Sequence, residues 1–368
     1  MEHKDFKYWT NYLSERLAGS KVREFIVFNV SAHPSDIARV TAKNFGISRV
    51  AVGRYMRELV DEGILLATGA TKDRLYELRT IADYAERIDV NSDLKEDEVW
   101  REKISPFVKD VPENIQTICN FGFTEMLNNV IDHSESPTVL ISCVRTAATI
   151  ELTVWDDGVG IFNKIQNMFG LTDPRHALLE LSKGKLTTAT SNHTGYGIFF
   201  TSRAFDKFGI SSGKLYFCRL NKESDWFIET DDIAEMPGTH IQMTIATNSR
   251  QTMQEVFDKC VPEFDEGGFT ATHVPLKLAK YEGEQLVSRS QAKRLLSRVD
   301  KFKEVLLDFQ GITMIGQAFA DEIFRVFQDK HPSIRILSID ANADIEKMIN
   351  LVKHPSGEPT SPVSSQSE

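Results

Sequence analysis

Residues 123–133 read FTEMLNNVIDH, and their pattern is the starting point for predicting the structure of the central part of the chain. Its apolar residues have the spacing of the buried face of a helix, and they are Phe123, Met126, Leu127, Val130 and Ile131. Glu125, Asn129 and His133 recur at every fourth position and therefore share a second face of that helix. Such a face is typical either of solvated surface or of a polar site, and the motifs that follow it decide between the two.

Three glycine-containing motifs follow this helix in the sequence. The first, TIELTVWDDGVGI at residues 149–161, alternates as a strand does and then enters a turn. The second, SNHTGYGIFF at residues 191–200, has two glycines before an apolar helix, and the third, EMPGTHIQMTI at residues 235–245, has Gly-Thr at the start of a strand. The motif positions are Asp156, Gly158, Gly160, Gly195, Gly197 and Thr239.

The order and setting of the four motifs resemble the GHKL family of ATP-binding domains, which includes histidine kinases, type II topoisomerase ATPase subunits, mismatch-repair ATPases and heat-shock chaperones. The resemblance implies ATP and Mg²⁺ as cofactors, and an α/β sandwich in which helices cover one face of a mixed sheet. Asp156 would then accept a hydrogen bond from the adenine amine, and Thr239 would reach the same edge of the base. Gly158 and Gly160 would lie beneath the ring, although a tight turn alone also accounts for them.

The helix motif is implied to act on the phosphates. Asn129 would offer an oxygen to Mg²⁺, which takes few protein ligands when it bridges phosphates. Glu125 would orient the attacking water, as in the family members that hydrolyse ATP, but an acid at this position is equally compatible with phosphotransfer. His133 would touch phosphate or ribose, and a hydrogen bond to a neighbour on the helix is an equal alternative.

The second glycine motif is implied to bind the phosphates from the other side. Gly195 and Gly197 precede a helix, so their backbone N–H groups would point at the triphosphate. A lid is predicted at about residues 165–195, where Lys183 and Lys185 would fold over the phosphates. A loop without nucleotide contacts is the alternative for the same segment.

Residues 1–88 have the pattern of a winged helix-turn-helix domain. A capped helix at 35–45 ends at Gly46, a second helix runs over 48–62, and ILLATGATKDRLYEL at 64–78 has the form of a hairpin. This order resembles the winged helix-turn-helix domains of bacterial regulators, in which the second helix enters the DNA major groove.

The charge of this segment favours nucleic acid as its partner. From Arg39 to Arg57 the sequence carries five cationic residues and no acidic one. Arg49, Arg54 and Arg57 lie on the second helix and are the predicted DNA contacts. The alternative is that this domain packs against another domain or a second subunit while its arginines remain solvated.

Residues 273–353 form a third unit with a strand, helix, strand, helix pattern, which predicts a small α/β domain. Its stretch LDFQGITMIGQAFADEIF, residues 307–324, resembles STAS domains, the fold of anti-sigma factor antagonists. In those antagonists a serine at the helix start accepts phosphate, but residues 316–318 are Gly, Gln and Ala. The resemblance therefore implies a protein-interaction module or a homodimer module rather than a built-in phosphate acceptor.

Composition limits the remaining classes. The chain has 368 residues, 41% of them hydrophobic, and a net charge of −10, which suits a protein of several domains but not one coated in nucleic acid. Its four cysteines lack metal or disulfide spacing. Neither a signal sequence nor an apolar stretch of roughly 20 residues is found, so we expect a cytoplasmic protein without a membrane partner. The Ser- and Pro-rich residues 354–368 are expected to be a disordered tail.

The sequence therefore predicts an α/β multidomain protein with a winged helix at 1–88, a GHKL domain at 89–272 and a STAS-like domain at 273–353. The favoured function is an ATP-binding, nucleotide-controlled transcription regulator that binds DNA and hydrolyses ATP slowly if at all. The alternative is a serine/threonine kinase that resembles anti-sigma factor kinases.

Overall fold

The computed structural model of this protein describes most of the chain. The described residues are 19–70, 73–171, 173, 175–183, 197–220, 226–229, 235–260, 271–279 and 284–353. Their strands form sheets of two, seven and three strands. We refer to the parts that contain these sheets as the N-terminal unit (19–81), the central unit (82–260) and the C-terminal unit (271–353).

The N-terminal unit consists of three helices and a hairpin, and its last two helices and the hairpin follow the predicted order. Its elements are α1 (19–29), α2 (Ile37–Phe45), α3 (Arg49–Asp61), β1 (Leu65–Thr68) and β2 (Leu75–Leu78). The two strands pair in antiparallel fashion. Gly46 ends α2 in the left-handed conformation, with φ 64°, which a glycine adopts without strain. Ser48 then caps α3, because its hydroxyl accepts a hydrogen bond from the N–H of Ala51 at 3.1 Å.

The central sheet has the strand order β3-β4-β5-β9-β6-β7-β8. Its strands are β3 (Ala82–Asp89), β4 (Thr138–Arg145), β5 (Thr149–Asp156), β6 (Lys207–Gly213), β7 (Leu215–Leu220), β8 (Trp226–Glu229) and β9 (Met236–Ala246). Because β3 pairs with β4 along its whole length, the predicted domain boundary between residues 88 and 89 falls inside a strand of this sheet.

The prediction of a mixed sheet is wrong, because every ladder of the described central sheet is antiparallel. The helical connection between β5 and β6 does make these two strands run in the same direction. They are not neighbours, however, since β9 lies between them and is antiparallel to both. A parallel ladder would have formed only if β5 and β6 had been adjacent.

Helices pack on one face of this sheet. They are α4 (Glu96–Val99), α5 (Glu113–His133), α6 (Ile161–Phe169), α7 (Arg175–Lys183), α8 (Gly197–Ala204) and α9 (Met253–Cys260), and α4 continues through a π-helical turn (Trp100–Ile104) and a 3₁₀ turn (Ser105–Phe107). Alternate residues of β5, such as Ile150 and Leu152, are fully buried in the same core as Phe123 and Met126 of α5. The period of two in the strand and the spacing of apolar residues in the helix therefore produce one shared core.

The C-terminal unit has a three-stranded parallel sheet in the order β10-β11-β12. Its elements are β10 (Ala271–Pro275), α10 (Arg289–Leu295), β11 (Glu304–Asp308), α11 (Gln317–Asp321), α12 (Gln328–Lys330), β12 (Arg335–Ile339) and α13 (Ala343–Lys353), with 3₁₀ turns at Leu276–Ala279 and Val299–Lys301. A π-helical turn (Glu322–Phe327) joins α11 to α12, so residues 317–330 form one helix. This agrees with the predicted strand, helix, strand, helix order.

The N-terminal unit meets the central sheet at the turn between β4 and β5. Ala148 in this turn is 3% exposed and belongs to the hydrophobic core of the N-terminal unit, which otherwise consists of residues from α1 to β1. Thr247, just after β9, holds the turn by donating its N–H to the carbonyl of Ala148 at 2.8 Å. The next residue, Asn248, donates to the carboxylate of Glu24 on α1 at 2.8 Å.

None of the helices that the structure describes is long and apolar enough to cross a bilayer.

Candidate functional site

The turn after β5, residues 156–160, holds a buried carboxylate at the edge of the central sheet. Asp156 is 2% exposed, and its Oδ1 accepts a hydrogen bond from the N–H of Gly158 at 2.8 Å. Thr239 lies directly opposite Asp156 in the β5–β9 ladder. Two of the motifs that are far apart in the sequence are thus joined at one point. We call residues 156–160 the β5 turn.

The β5 turn is packed so closely that its glycines have no room for a side chain. A β-carbon at Gly158 would lie 2.0 Å from the carbonyl oxygen of Ser134, at the end of α5. A β-carbon at Gly160, where φ is 79°, would lie 2.6 Å from the hydroxyl of Ser212. The positions of the glycines are therefore fixed by their contacts with α5 and β6 as well as by the turn itself.

The start of β9 closes the β5 turn from the other side. The Oγ1 of Thr239 accepts a hydrogen bond from the N–H of Ile161 at 3.0 Å, and Thr239 therefore holds the first residue of α6. The hydroxyl of Ser212 donates to the carbonyl of Gly238 at 2.7 Å. The Thr239 hydroxyl proton remains available for a second hydrogen bond, because a hydroxyl both donates and accepts.

Burial dominates the electrostatics of Asp156. Desolvation raises the pKa of its carboxyl above the ordinary aspartate value, and the backbone N–H groups of Gly158 and Thr239 oppose this effect in part. The next residue, Asp157, is exposed, and its Oδ2 lies 2.6 Å from Nη1 of Arg87 on β3. The two adjacent acids therefore differ in environment: Asp157 forms a surface ion pair, whereas Asp156 is buried.

The predicted polar face of α5 begins next to the start of α8. A β-carbon at Gly197 would lie 2.2 Å from Oε2 of Glu125, so the first residue of α8 touches the Glu125 carboxylate. Asn129 and His133 lie one and two turns further along α5 and are partly exposed. The Nδ2 of Asn129 is 4.0 Å from the sulfur of Met126, and no described group donates a hydrogen bond to its Oδ1.

Several functional-site contacts come from residues that the sequence analysis did not single out. Lys164 on α6 donates to the carbonyl of His133 at 2.6 Å and to Glu135 at 2.9 Å, which ties α6 to the end of α5. Ser136 accepts a hydrogen bond from the N–H of Asp157 at 3.2 Å. Together with Ser134 and Ser212, these residues hold the β5 turn. Isolated serines and lysines carry no distinctive local signal.

Lys183 does not lie in an open lid. It is 1% exposed at the end of α7, and its ammonium contacts the Glu180 carboxylate at 2.7 Å and the carbonyl of Ser297 at 2.7 Å. Arg298 of the C-terminal unit lies 3.5 Å from the same carboxylate. This ammonium is committed to a buried ion pair within α7 and to a carbonyl of the C-terminal unit, so it is not free to contact a nucleotide in this structure.

Two further predicted site residues, Lys185 and Gly195, lie outside the described residues, as do residues 184–195 of the predicted lid and the tail at 354–368. Among the residues that are described, no group of three or more His, Cys, Asp or Glu side chains could hold a metal ion.

The predicted DNA contacts lie on the solvent side of α3. Arg49, Arg54 and Arg57 are all exposed. Arg54 lies 3.8 Å from the carboxylate of Glu58, and the Nε of Arg57 donates to the carbonyl of Gly53 at 3.3 Å. Within the described part of the chain, no carboxylate pairs with Arg49 or Arg57. The charge of this surface is therefore only partly neutralised by the protein.

The C-terminal unit lacks a hydroxyl where the helix after β11 begins. This helix starts at Gln317 with Gly316 as its cap, and Gln317 and Ala318 are both exposed. The N–H of Gly316 donates to the carbonyl of Leu286 at 2.8 Å, which holds the segment before α10 against the helix start.

Comparison with known proteins bears on this unit alone. The comparison with curated proteins finds no match. The family model described as "STAS-like domain of unknown function (DUF4325)" matches residues 291–346, from α10 into α13. The predicted STAS-like character of the C-terminal unit is thereby confirmed, and residues 291–346 are a STAS-like domain.

Proposed function

We propose that this chain is an ATP-binding, nucleotide-controlled regulator that binds DNA through its N-terminal unit and hydrolyses ATP slowly. In this proposal the central unit is the GHKL domain and the N-terminal unit is the winged helix. The observation that carries the proposal is the arrangement of two polar contacts along α5. Its end packs on the β5 turn at Ser134, and its Glu125 touches the start of α8.

The spacing of these contacts suits an extended nucleoside triphosphate. Glu125 precedes Ser134 by nine residues, which corresponds to about 14 Å along a helix. A ligand that lies along α5 would therefore have its base near Asp156 and its terminal phosphate near Gly197. One end of this region offers the side chains of Asp156 and Thr239, and the other offers the N-terminus of α8 and the Glu125 carboxylate. ATP likewise has a base at one end and phosphates at the other.

At the base end, the donor and acceptor set fits adenine. Asp156 offers a carboxylate that its hydrogen bond to Gly158 holds in one orientation, and the exocyclic amine of adenine is a suitable donor to it. Thr239 offers a hydroxyl at the same edge of the sheet. Because these groups are positioned by the β5–β9 ladder, they need little reorganisation when the base binds.

At the phosphate end, the N-terminus of α8 and the carboxylate of Glu125 meet. Backbone N–H groups at a helix N-terminus favour phosphate, and Glu125 would orient the attacking water. Asn129 would hold Mg²⁺ through Oδ1, consistent with a site that has one protein oxygen and few carboxylates. When bound, Mg²⁺ would neutralise charge on the phosphate oxygens.

DNA binding is supported by the exposed arginines of α3, and coupling to ATP is supported by the strand pair β5–β9. Asp156 and Thr239 lie at one end of this pair, and Thr149 and Ala246 lie at the other. Seven residues of strand place these ends about 23 Å apart. The turn at the far end carries Ala148, which packs in the core of the N-terminal unit. A shift of the pair on nucleotide binding would therefore reach the core of the N-terminal unit, in which α3 is anchored by Val52, Met56 and Leu59.

For this coupling to control DNA binding, ATP must bind the two arrangements of the protein with different affinity. A difference of about 1.4 kcal/mol gives a tenfold change in their populations. The STAS-like domain would bind a protein partner or a second copy of the chain.

Calorimetric titration of Mg-ATP into the purified protein tests the proposal, with Asp156→Asn as the variant and Asp157→Asn as its matched control. We expect Asp156→Asn to weaken binding at least tenfold, because it replaces an acceptor by an amide that also donates. Asp157→Asn removes only a surface ion pair with Arg87 and should bind ATP as the wild type does. Undetectable binding by the wild type would refute the proposal.

Labelled ATP separates hydrolysis from phosphotransfer. Label that appears as free phosphate, at a rate that falls in Glu125→Gln, supports slow hydrolysis. Label that is transferred to a protein would replace the regulator by the kinase alternative.

A further inference from the structure

One apolar side chain stands alone on the basic surface of α3. Val50 is 83% exposed, whereas every other exposed large hydrophobic side chain among the described residues is 56% exposed or less. Isolated apolar residues on a surface need no explanation in general. The position of Val50 among cations, however, restricts what could cover it.

The rotation of α3 is fixed by its buried side. Val52, Met56 and Leu59 are 0 to 2% exposed and anchor the helix in the core of the N-terminal unit. Val50, Arg54 and Arg57 have the i, i+4, i+7 spacing of a single face, and we call these three residues the basic face.

The basic face is open and firmly held at its start. The cap hydrogen bond from Ala51 to Ser48 orders the first turn of α3, where Val50 lies. Gly53 is adjacent to the basic face, and a β-carbon there would meet no atom within 4 Å. A partner could therefore approach the backbone of α3 closely at this point.

Duplex DNA fits this surface better than a protein does. The buried centre of a protein interface is more apolar than its rim, whereas the neighbours of Val50 on the basic face are two arginines. The major groove of DNA instead offers a single apolar group, the 5-methyl of thymine, between two rows of phosphates. RNA lacks this group, because uracil has no 5-methyl.

We propose that Val50 is a specificity-determining residue that packs against the 5-methyl group of a thymine in the major groove, while Arg54 and Arg57 contact phosphates. This inference rests on the proposed DNA binding and adds the class of base that is read. The open surface at Gly53 lets the helix enter the groove with its N-terminal turn foremost.

The test uses the full-length protein and a duplex selected from a randomised pool at low salt. Each thymine of the selected duplex is replaced in turn by deoxyuridine, and binding is measured by fluorescence anisotropy. The proteins compared are the wild type, Val50→Ala and the control Val287→Ala, which shortens a valine that is 45% exposed in the C-terminal unit. Both variants change exposed residues, and thermal unfolding checks that they retain the wild-type fold.

At one position we expect deoxyuridine to weaken wild-type binding about fourfold, the effect of about 0.8 kcal/mol for one buried methyl group. Val50→Ala should weaken binding to the thymine duplex and lose its sensitivity at that position, whereas Val287→Ala should behave as the wild type. If the wild type binds DNA but tolerates deoxyuridine everywhere, or if Val50→Ala keeps the same sensitivity, the inference is overturned and DNA binding stands. If no duplex is bound, the proposed DNA binding fails with it.

Discussion

Gly238 packs against Asp156 so closely that a β-carbon at Gly238 would lie 2.0 Å from the carbonyl oxygen of Asp156. The same β-carbon would lie 2.7 Å from the backbone nitrogen of Gly158. Since Gly238 also has a φ of 66°, its conformation and its surroundings both require glycine. The start of β9 and the β5 turn therefore form a backbone-to-backbone contact that no side chain can relieve by moving.

We expect Gly238→Ala to lower the free energy of unfolding by about 2 to 4 kcal/mol, because overpacking and a left-handed backbone both oppose alanine. Urea unfolding measures the change. Gly209→Ala is the matched control, since a β-carbon there would make an ordinary contact at 3.4 Å with Tyr216 in the same sheet. Equal stability of the two variants would contradict this account of the turn.

Gly197→Ala, unlike Gly238→Ala, should change the rate of ATP hydrolysis far more than the stability of the protein. The atom that its β-carbon would meet is the end of the flexible Glu125 side chain, which can move aside, so we expect a loss of less than about 1 kcal/mol in stability. If Glu125 orients the attacking water, its displacement should lower the rate of ATP hydrolysis about 100-fold. Steady-state release of phosphate measures this rate. A rate equal to that of the wild type would separate Glu125 from any hydrolysis.

The burial of Asp156 predicts a pH dependence of stability. Its pKa is raised in the folded state, so between the unfolded and folded pKa values the native protein binds more protons than the unfolded chain. The free energy of unfolding of the wild type should therefore fall, relative to that of Asp156→Asn, as the pH rises from about 3.9 through the folded pKa. Urea unfolding of both proteins at a series of pH values measures the difference. A constant or rising difference would mean that burial does not penalise this carboxylate.

The buried pair of Lys183 and Glu180 predicts non-additive mutations. Lys183→Met leaves the Glu180 carboxylate buried with Arg298 as its remaining cationic partner, and we expect a cost of about 3 kcal/mol. The double variant with Glu180→Gln removes both charges and should cost less than the sum of the two single changes. Urea unfolding of the four proteins gives the coupling energy. Additive costs would show that the two charges do not stabilise each other.

Local periodicity explains why the elements could be predicted and their arrangement could not. The spacing of apolar residues in α5 and the alternation in β5 depend on the residues themselves, so both elements lie where the sequence predicts them. The insertion of β9 between β5 and β6 depends on contacts between distant parts of the chain. No local pattern encodes that insertion, and the predicted mixed sheet fails for this reason.

In the candidate site, too, some residues could be predicted from the sequence and others could not. Asp156 and the glycines of the β5 turn are predictable, because an acid and glycines at a strand end have few other uses than a turn or a close contact. The hydroxyl of Ser212 is not predictable, since its role depends on the pairing of β6 with β9. The burial of Lys183 is not predictable either, because one of its two partners, Ser297, lies 114 residues away in another unit.

Ala148 offers a way to loosen the contact between the N-terminal unit and the central unit by a change that lies outside both α3 and the β5 turn. It is 3% exposed in the core of the N-terminal unit, so a glutamate there would bury a charge without a partner, and we expect Ala148→Glu to loosen the N-terminal unit from the sheet. Hydrogen exchange should show faster exchange in α1 to α3 and unchanged protection in β5 and β9. Ala85→Glu, at an exposed position of β3, is the control and should leave both regions protected.

ATP should still bind to Ala148→Glu, but it should no longer alter DNA affinity, because the link between the strand pair and the basic surface of α3 is lost. If ATP changes DNA affinity as much in Ala148→Glu as in the wild type, the signal does not pass through the β4–β5 turn.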